Sequence, residues 1–321
     1  MLSLKQEDVL ASAVATAVLE GLTAYPKHLP PWLLYDAEGS ALFEEITELP
    51  EYYLTRVERG ILENNAADIV ERVGGEISVI ELGAGTASKT GILIRAILRR
   101  QPGAVFYPID VSASALETAV HRLNGSFPAL SVRPVVADYS SGLAQLAATP
   151  GRKLVLYIGS SIGNYEPEDA SALLGNIRQS MGPRDALLLG TDLVKDPSVL
   201  LPAYDDAAGV TVRFNKNLLA RINRELGARF DLRGFRHIAE WNQKNSRMEI
   251  YLESTRAQAA LIEALGITVS FRAGERIHTE NSYKYPRGMV EGILKTGGFH
   301  IENTWHDAKQ WFAVHLARVN S

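Results

Sequence analysis

Residues 77–100 read ISVIELGAGTASKTGILIRAILRR: a short apolar run, two glycines, and a longer stretch with apolar residues at helical spacing. The run predicts a buried strand and the longer stretch a helix, so Gly83 and Gly85 stand at a strand-to-helix turn. Because glycine has no side chain, the backbone N–H groups of such a turn can approach a ligand at the amino end of the helix. We therefore predict a ligand-binding turn at these two glycines.

Apolar runs of the same kind continue along the chain, and most are followed by a helical stretch. The predicted strands are 77–83, 104–110, 131–139, 153–160 and 185–193. The predicted helices are 88–100, 112–123, 142–148 and 167–181. Near the C-terminal end, a helix over 287–299 precedes two strands, 300–307 and 311–319, that are close enough for a hairpin. Strands that alternate with helices predict an α/β fold with a parallel, doubly wound sheet.

The alternation stops after residue 193 and resumes near residue 285. Residues 194–284 mix helical stretches with strand-like runs, and the first 60 residues also lie outside the pattern. We predict one domain made of 61–193 and 285–321, and a discontinuous α+β domain made of 1–60 and 194–284. A parallel sheet that ends in an antiparallel hairpin resembles the class I, Rossmann-like methyltransferases, a likeness of architecture alone.

The composition is that of a globular protein and excludes several classes of function. The chain has 321 residues, of which 46% are hydrophobic and 22% charged, with a formal net charge of −4 and no cysteine. Disulfides and thiolate chemistry are therefore excluded, and a basic surface for nucleic acid is not expected. No apolar run approaches the ~18 residues of a membrane span, and no signal peptide is recognised. The seven histidines are scattered without metal-ligand spacing. We expect a cytoplasmic monomer without a metal, a membrane partner or a nucleic-acid partner.

Three ligands compete for the glycine turn. A dinucleotide fingerprint, G-x-G-x-x-G, needs a third glycine where Ser88 stands. A phosphate loop, G-x-x-x-x-G-K-[ST], is matched by Gly83, Lys89 and Thr90 but lacks the same glycine. Glu81 weighs against both, since a carboxylate just before the turn repels phosphate. A nucleotide enzyme or a non-catalytic module nevertheless stays open at this point.

S-adenosylmethionine fits the turn better, because its amino-acid tail carries an ammonium and a carboxylate. Glu81 can accept from the ammonium, and Lys89 can face the carboxylate. Asp110 ends the second predicted strand, where it can receive the ribose hydroxyls; Asp138 and Tyr139 end the third, where they can receive and cover the adenine. The E-x-G-x-G pattern resembles the first motif of S-adenosylmethionine-dependent methyltransferases, so we expect this methyl donor as the cofactor.

Segments outside the predicted sheet carry a more specific resemblance. They are LLYDAEGSALFEEITELPEYYLTRVE (33–58), GSSIGNYEP (159–167) and TDLVKDPSVLLPAYDDAAGVTVRFNKNLLARINRELGARFD (191–231). These stretches closely resemble the L-histidine Nα-methyltransferases of the ergothioneine pathway, and the likeness runs through both predicted domains. The resemblance implies that three methyl groups pass from S-adenosylmethionine to the α-amino group of histidine, giving hercynine in the first step of ergothioneine biosynthesis.

The resemblance also implies a set of site residues. The cofactor set is Gly83, Lys89, Asp110, Asp138 and Tyr139. The substrate set is Tyr52, Asn164, Tyr204, Glu280, Asn281 and Ser282. Asn164 and Tyr35 are the residues expected beside the reacting atoms. No metal ligand is implied.

Roles for the substrate set follow from their hydrogen-bonding groups. Asn164 and Tyr204 can donate to a substrate carboxylate, while Glu280 can accept from an imidazole N–H and Ser282 can donate or accept. Ile250 stands where the family is associated with methionine. This difference leaves open an Nα-methyltransferase for another aromatic amino acid, such as tryptophan or tyrosine, and a methyltransferase-like binding module is a third alternative.

Overall fold

The computed structural model describes residues 4–144, 149 and 151–320, and the side chains of 12–139, 141–144, 149 and 151–320. The chain divides into two compact units. Unit 1 comprises the chain up to Tyr52 together with Asp196–Ser282, and unit 2 comprises Tyr53–Lys195 and the chain from Tyr283 onward. Residues 53–60, expected in the first segment of the α+β domain, belong to unit 2, because the helix that they begin packs on the sheet of that unit.

The helices and strands follow one another along the chain with these bounds. The helices are α1 Leu4–Thr23, α2 Ala37–Glu48, α3 Tyr53–Val73, α4 Thr90–Leu98, α5 Ala113–Ser126, α6 Tyr139–Ala144, α7 Pro167–Gln179, α8 Pro197–Tyr204, α9 Val210–Leu226 and α10 Met289–Thr296. The strands are β1 Lys27–His28, β2 Ile77–Leu82, β3 Ala104–Asp110, β4 Leu130–Val132, β5 Val135–Val136, β6 Arg152–Tyr157, β7 Ala186–Asp192, β8 Phe235–Asn242, β9 Arg247–Ser254, β10 Gln258–Ile262, β11 Ile267–Phe271, β12 Arg276–Tyr283, β13 Phe299–His306 and β14 Phe312–Val319.

Unit 2 is built around one eight-stranded sheet in the order β13-β14-β7-β6-β2-β3-β4, with β5 paired to β3. The pairs from β7 to β4 are parallel, whereas β14 runs antiparallel to both β7 and β13. All six residues of β2 are buried, as expected for a central strand of a sheet covered on both faces. The predicted α/β fold, with its parallel sheet and antiparallel terminal hairpin, is confirmed.

The third predicted strand, 131–139, is two short strands rather than one. Pro134 separates β4 from β5 and has no N–H to donate to a neighbouring strand, which confines this segment to the edge of the sheet. The helix expected at 142–148 begins earlier, at Tyr139, and residues 145–148 of that prediction lie outside the described residues.

Unit 1 contains a four-stranded sheet in the order β1-β12-β9-β8 and a separate antiparallel pair of β10 and β11. Helix α9 packs against α2 and against strand β8. Its buried residues recur at helical spacing and include Phe214, Leu218 and Ile222. Unit 1 is therefore of the α+β kind; of the predicted segment 194–284 it contains 196–282, and the two residues at each end belong to unit 2. None of the described helices, in either unit, is long and apolar enough to cross a membrane.

Several charged and polar side chains of unit 2 meet at one buried carboxylate. Asp192, at the end of β7, is fully buried. It accepts from the Tyr53 hydroxyl and from the Lys195 ammonium, both at 2.5 Å, and lies 3.0 Å from the Lys284 ammonium. Burial lowers the pKa of Lys195 to about 8 although Asp192 opposes the shift. Tyr53, Lys195 and Lys284 come from three separate segments of unit 2, so one carboxylate contacts all three segments.

His315 lies buried in β14 between threonines of the two neighbouring strands. Its Nε2 atom is 2.9 Å from Thr191 Oγ1 on β7, and its Nδ1 atom is 2.9 Å from Thr304 Oγ1 on β13. Burial lowers the pKa of this imidazole from 6.5 to about 4, and His306 adds to the shift. The ring is therefore neutral in the folded protein at neutral pH.

We expect the free energy of unfolding to fall as the pH is lowered from about 6.5 to about 4, because the unfolded chain then binds a proton at residue 315 that the folded chain does not. The folded pKa lies below the unfolded one, so the loss is complete below about pH 4 and amounts to ~3 kcal/mol. Urea unfolding at a series of pH values measures it. His315→Gln should flatten the dependence, whereas His121→Gln, at an exposed position, should leave it. Equal slopes in all three proteins would contradict the assignment.

Candidate functional site

The glycine turn of unit 2 has a backbone that only glycine adopts easily. Gly83 and Gly85 have φ values of +65° and +50°. A Cβ atom at Gly83 would stand 2.8 Å from the hydroxyl oxygen of Tyr139, a distance that real side chains do not tolerate. The backbone of the turn therefore lies directly against the Tyr139 hydroxyl, and a side chain at position 83 would not fit.

Asp110 ties this turn to the end of the neighbouring strand β3. Its Oδ2 atom accepts the Gly85 N–H at 2.8 Å, and its Oδ1 atom accepts the Ser112 N–H at 2.9 Å. Burial raises the pKa of the Asp110 carboxyl, although these backbone donors oppose the shift. The Val111 N–H opposes it as well. A carboxylate has about four acceptor positions, so these three N–H donors leave acceptor capacity for a ligand.

Asp138 and Tyr139 have different surroundings. Asp138 is exposed and caps helix α6: its Oδ1 accepts from Ser141 N at 2.9 Å and its Oδ2 from Ser141 Oγ at 2.8 Å. The Tyr139 ring packs edge-on against Tyr157 at 5.6 Å. Burial raises the pKa of the Tyr139 phenol, so this residue stays a neutral hydroxyl beside the turn. The structure thus brings Gly83, Asp110 and Tyr139 together. Asp138 directly precedes Tyr139, and both of its carboxylate oxygens accept from Ser141.

Lys89, directly before α4, is paired with the carboxylate of Glu58 on α3. The sequence predicts Lys89 as a cofactor-binding residue but does not single out Glu58. A signal was present, because Leu54, Glu58 and Ile61 recur at the spacing of one helical face, and an acid on an otherwise apolar face calls for a partner.

Glu81 is buried instead of open at the turn. Its carboxyl accepts from Thr90 Oγ1 at 2.5 Å, and burial raises its pKa to about 8. A carboxyl that is mostly protonated at neutral pH and covered by the protein is a poor partner for an ammonium ion. We therefore no longer assign Glu81 as the acceptor for the ammonium of a methyl donor.

Asn164 ends a short 3-10 turn, Ser161–Asn164, that follows β6. The turn starts from Ser160, whose φ of +61° is unusual for a residue other than glycine. A Cβ atom at Gly163 would lie 3.0 Å from the backbone oxygen of Tyr283, so this turn runs close against the last residue of β12. Asn164 is half-buried and belongs to the same unit as the glycine turn.

Most of the predicted substrate set lies in unit 1, where three tyrosines share one aromatic cluster. The hydroxyl of buried Tyr204 lies 2.8 Å from Ser282 Oγ. The Tyr204 ring is 6.5 Å from that of Tyr52, and Phe43 lies 6.1 Å from Tyr52 and 5.5 Å from Tyr35. Edge-to-face contacts of this kind fix the rings and leave the hydroxyls for polar partners.

Glu280 and Asn281 lie on β12, just before Ser282. Glu280 is half-buried, whereas Asn281 is buried and its Oδ1 is 2.8 Å from His278 Nε2. Ile250 is buried on β9, the neighbouring strand, and its backbone oxygen accepts from Thr279 Oγ1 at 3.2 Å. Ile250 therefore lies on the strand next to Glu280 and Ser282, the residues predicted to bind the imidazole.

His237 on β8 supports Tyr204 and was not singled out by the sequence. Its Nε2 atom is 2.8 Å from the Tyr204 backbone oxygen, and its Nδ1 atom is 2.9 Å from Asn215 Nδ2. Burial lowers the pKa of the His237 imidazole, so the neutral ring can donate from Nε2 while Nδ1 accepts from Asn215. A lone histidine on a half-buried strand gives no such signal in sequence.

Comparison with known proteins gives this arrangement a family. The sequence model described as "Histidine-specific methyltransferase, SAM-dependent" matches residues 14–319. The chain belongs to this family. It is an S-adenosylmethionine-dependent N-methyltransferase, and the family's match runs through both units. Across the described residues, no group of three or more histidine, aspartate or glutamate side chains is arranged to hold a metal ion.

Relatives of the histidine-specific methyltransferase family match nearly the whole chain. A histidine N-alpha-methyltransferase of Mycolicibacterium smegmatis is 42% identical over 97% of this chain and 96% of its own. Another of Mycobacterium tuberculosis is 40% identical over the same shares. Ergothioneine biosynthesis protein 1 of Neurospora crassa is 30% identical over 91% of this chain, which spans 33% of that longer protein.

Among solved structures, an S-adenosylmethionine-dependent methyltransferase from Clostridium acetobutylicum is similar in fold. It is 13% identical, with a TM-score of 0.48 over 87% of this chain and 98% of its own.

Proposed function

We propose that this protein transfers three methyl groups from S-adenosylmethionine to the α-amino group of L-histidine, giving hercynine, the first step of ergothioneine biosynthesis. The observation that carries the proposal is the match of a histidine-specific family over residues 14–319, which includes both the glycine turn and the Tyr204–Ser282 pair. We further propose that the protein acts in the cytoplasm as a monomer, that unit 2 binds the methyl donor, and that unit 1 supplies most of the histidine-binding residues.

The residues at the glycine turn fit S-adenosylmethionine. Gly83 and Gly85 carry no side chains that could obstruct a ligand, and Asp110 keeps acceptor capacity that suits the ribose hydroxyls. Tyr139 and Asp138 would hold the adenine, and Lys89 would hold the carboxylate of the amino-acid tail. When bound, this cofactor supplies an electrophilic methyl group on a sulfonium.

The histidine-binding residues offer groups that match both ends of the substrate. Tyr204 and Asn164 would donate to its carboxylate, while Glu280 and Ser282 would fix the imidazole, with Asn281 beside them. The Tyr204 hydroxyl is already oriented by Ser282, and its backbone by His237. Tyr52 and Tyr35, held by the aromatic cluster, would line the remaining wall near the reacting amine.

Little covalent chemistry is required of the chain for this reaction. A neutral amine lone pair has to lie in line with the bond between sulfur and methyl, so the ammonium form loses one proton before each of the three transfers, and we assign water as the acceptor of that proton. Positioning and exclusion of bulk water then account for most of the catalysis. Glu280 also favours histidine over a phenyl side chain, because an apolar ring has no N–H to donate to this half-buried carboxylate.

The difference at Ile250 leaves open a second candidate, an Nα-methyltransferase for tryptophan or tyrosine. To separate the two, the protein should be incubated with S-adenosylmethionine and with histidine, tryptophan, tyrosine or phenylalanine in turn, and methylated product measured by mass spectrometry. We expect histidine to give at least about tenfold more product per unit time than phenylalanine, since a ring without an N–H forgoes a hydrogen bond to the Glu280 carboxylate that contributes ~1.5–3 kcal/mol. Equal or greater turnover of another amino acid would replace histidine as the substrate.

A further inference from the structure

Glu58 is an acid in a place where acids are rarely found. It lies on the buried face of α3, between Leu54 and Ile61, and its side chain is fully buried. Charged side chains are almost never fully buried unless they are paired. The groups that pair with the Glu58 carboxylate therefore indicate its role.

The Glu58 carboxylate holds two groups that lie far apart in sequence. The backbone N–H of Gly159, just after β6, donates to both carboxylate oxygens at 2.9 and 3.0 Å. The Lys89 ammonium, just before α4, contacts Oε2. Both partners lie at the carboxyl ends of neighbouring parallel strands, β2 and β6, on the side of the sheet that carries the glycine turn.

The packing leaves this carboxylate little freedom. A Cβ atom at Gly190 on β7 would stand 2.1 Å from Glu58 Oε1, so the strand backbone lies directly against the acid. A Cβ atom at Gly159 would lie 3.5 Å from Lys89 Nζ. The ammonium is consequently held between the carboxylate and the Gly159 backbone, and its side chain remains 15% exposed.

We propose that Glu58 is a positioning residue for the methyl donor: it holds the Lys89 ammonium beside the glycine turn, where that ammonium binds the carboxylate of the donor's amino-acid tail. This inference rests on the proposed function. Lysine has three N–H donors, and Glu58 uses one of them, which leaves donors for a ligand. The same carboxylate fixes Gly159, from which the chain runs through Ser160 to Asn164.

Calorimetry with two ligands tests the role of Glu58. S-adenosylhomocysteine carries the amino-acid tail, whereas 5′-methylthioadenosine keeps the adenosine and the sulfur but lacks the tail. We expect Glu58→Gln to weaken S-adenosylhomocysteine at least about tenfold, the loss of one charge-assisted hydrogen bond, and to change 5′-methylthioadenosine less than about twofold. Equal weakening of both ligands would mean a merely structural role and would overturn the proposal, as would no change in either.

Asp185→Asn is the matched control. Like Glu58, Asp185 is a buried carboxylate of unit 2. It accepts the N–H groups of Lys153 at 2.8 Å and Gly182 at 2.7 Å. It lies just before β7, at the opposite end of the strands from the glycine turn. Its variant should bind both ligands as the unaltered protein does. If the unaltered protein binds neither ligand, the proposed function fails; if it prefers S-adenosylhomocysteine and Glu58→Gln behaves like Asp185→Asn, only the role of Glu58 fails.

If Glu58→Gln alone does not fold, the double variant Glu58→Gln/Lys89→Met can be compared with Lys89→Met, because the double variant removes both charges of the pair. If Glu58 acts through Lys89, the double variant should discriminate between the two ligands as poorly as Lys89→Met does. A further loss of S-adenosylhomocysteine affinity in the double variant, beyond that of Lys89→Met, would contradict a role through Lys89.

Discussion

Asp110→Ala is expected to weaken the binding of S-adenosylhomocysteine at least about 100-fold, because two hydrogen bonds to a charged acceptor contribute ~1.5–3 kcal/mol each. The carboxylate would receive the ribose hydroxyls and already holds the Gly85 and Ser112 N–H groups in place. Calorimetry measures the loss of affinity, and circular dichroism establishes that the variant is folded.

Two comparisons make the Asp110 result specific. Asp110→Asn keeps one acceptor oxygen and should lose less affinity than the alanine variant, whereas Asp185→Asn should lose none. Titration of the unaltered protein with ATP should give no heat. Binding of ATP in place of S-adenosylhomocysteine would restore the phosphate-loop interpretation of Gly83, Lys89 and Thr90 and would contradict the assignment of Asp110.

Glu280→Ala should raise the KM for histidine roughly tenfold or more while changing kcat much less, because the imidazole N–H would lose its acceptor in both the ground state and the transition state. Steady-state kinetics with histidine as the varied substrate measures this. The same variant should narrow the preference for histidine over phenylalanine, since the half-buried carboxylate that accepts from an imidazole N–H is gone.

Glu240→Ala provides the matched control for Glu280. Glu240 is an exposed acid on β8 of the same sheet, paired with Arg276. Its removal should leave the KM for histidine within about twofold of the original value, as expected for an exposed pair of small energetic weight. An unchanged KM in Glu280→Ala would remove the imidazole role from this residue.

The parts of unit 2 that could be predicted from sequence are those set by local patterns. The apolar run of β2, the glycines after it and Asp110 at the end of β3 are each readable within a few residues, and the structure brings Gly83, Asp110 and Tyr139 together. Pro134 also marks, in sequence, the position at which the third predicted strand divides. Short sequence patterns suffice to place these residues near one another, because the carboxyl ends of parallel strands lie at one edge of the sheet.

Burial and distant pairing could not be read in the same way. Glu81 looked available to a ligand, but Thr90 covers it and burial raises its pKa to about 8. Glu58 and Lys89 are separated by 31 residues, and Tyr204 and Ser282 by 78. The aromatic cluster around Tyr52 likewise depends on packing between segments from different parts of unit 1. Only the folded chain brings these groups within reach of each other.

Identification of the product tests the central claim most directly. The protein is incubated with histidine and excess S-adenosylmethionine, and the product is analysed by mass spectrometry with fragmentation alongside the amount of S-adenosylhomocysteine formed. We predict a histidine that carries three methyl groups on its α-nitrogen, with three molecules of S-adenosylhomocysteine for each. Methyl groups on the imidazole ring, or histidine recovered unmodified while another amino acid is methylated, would contradict the proposed function.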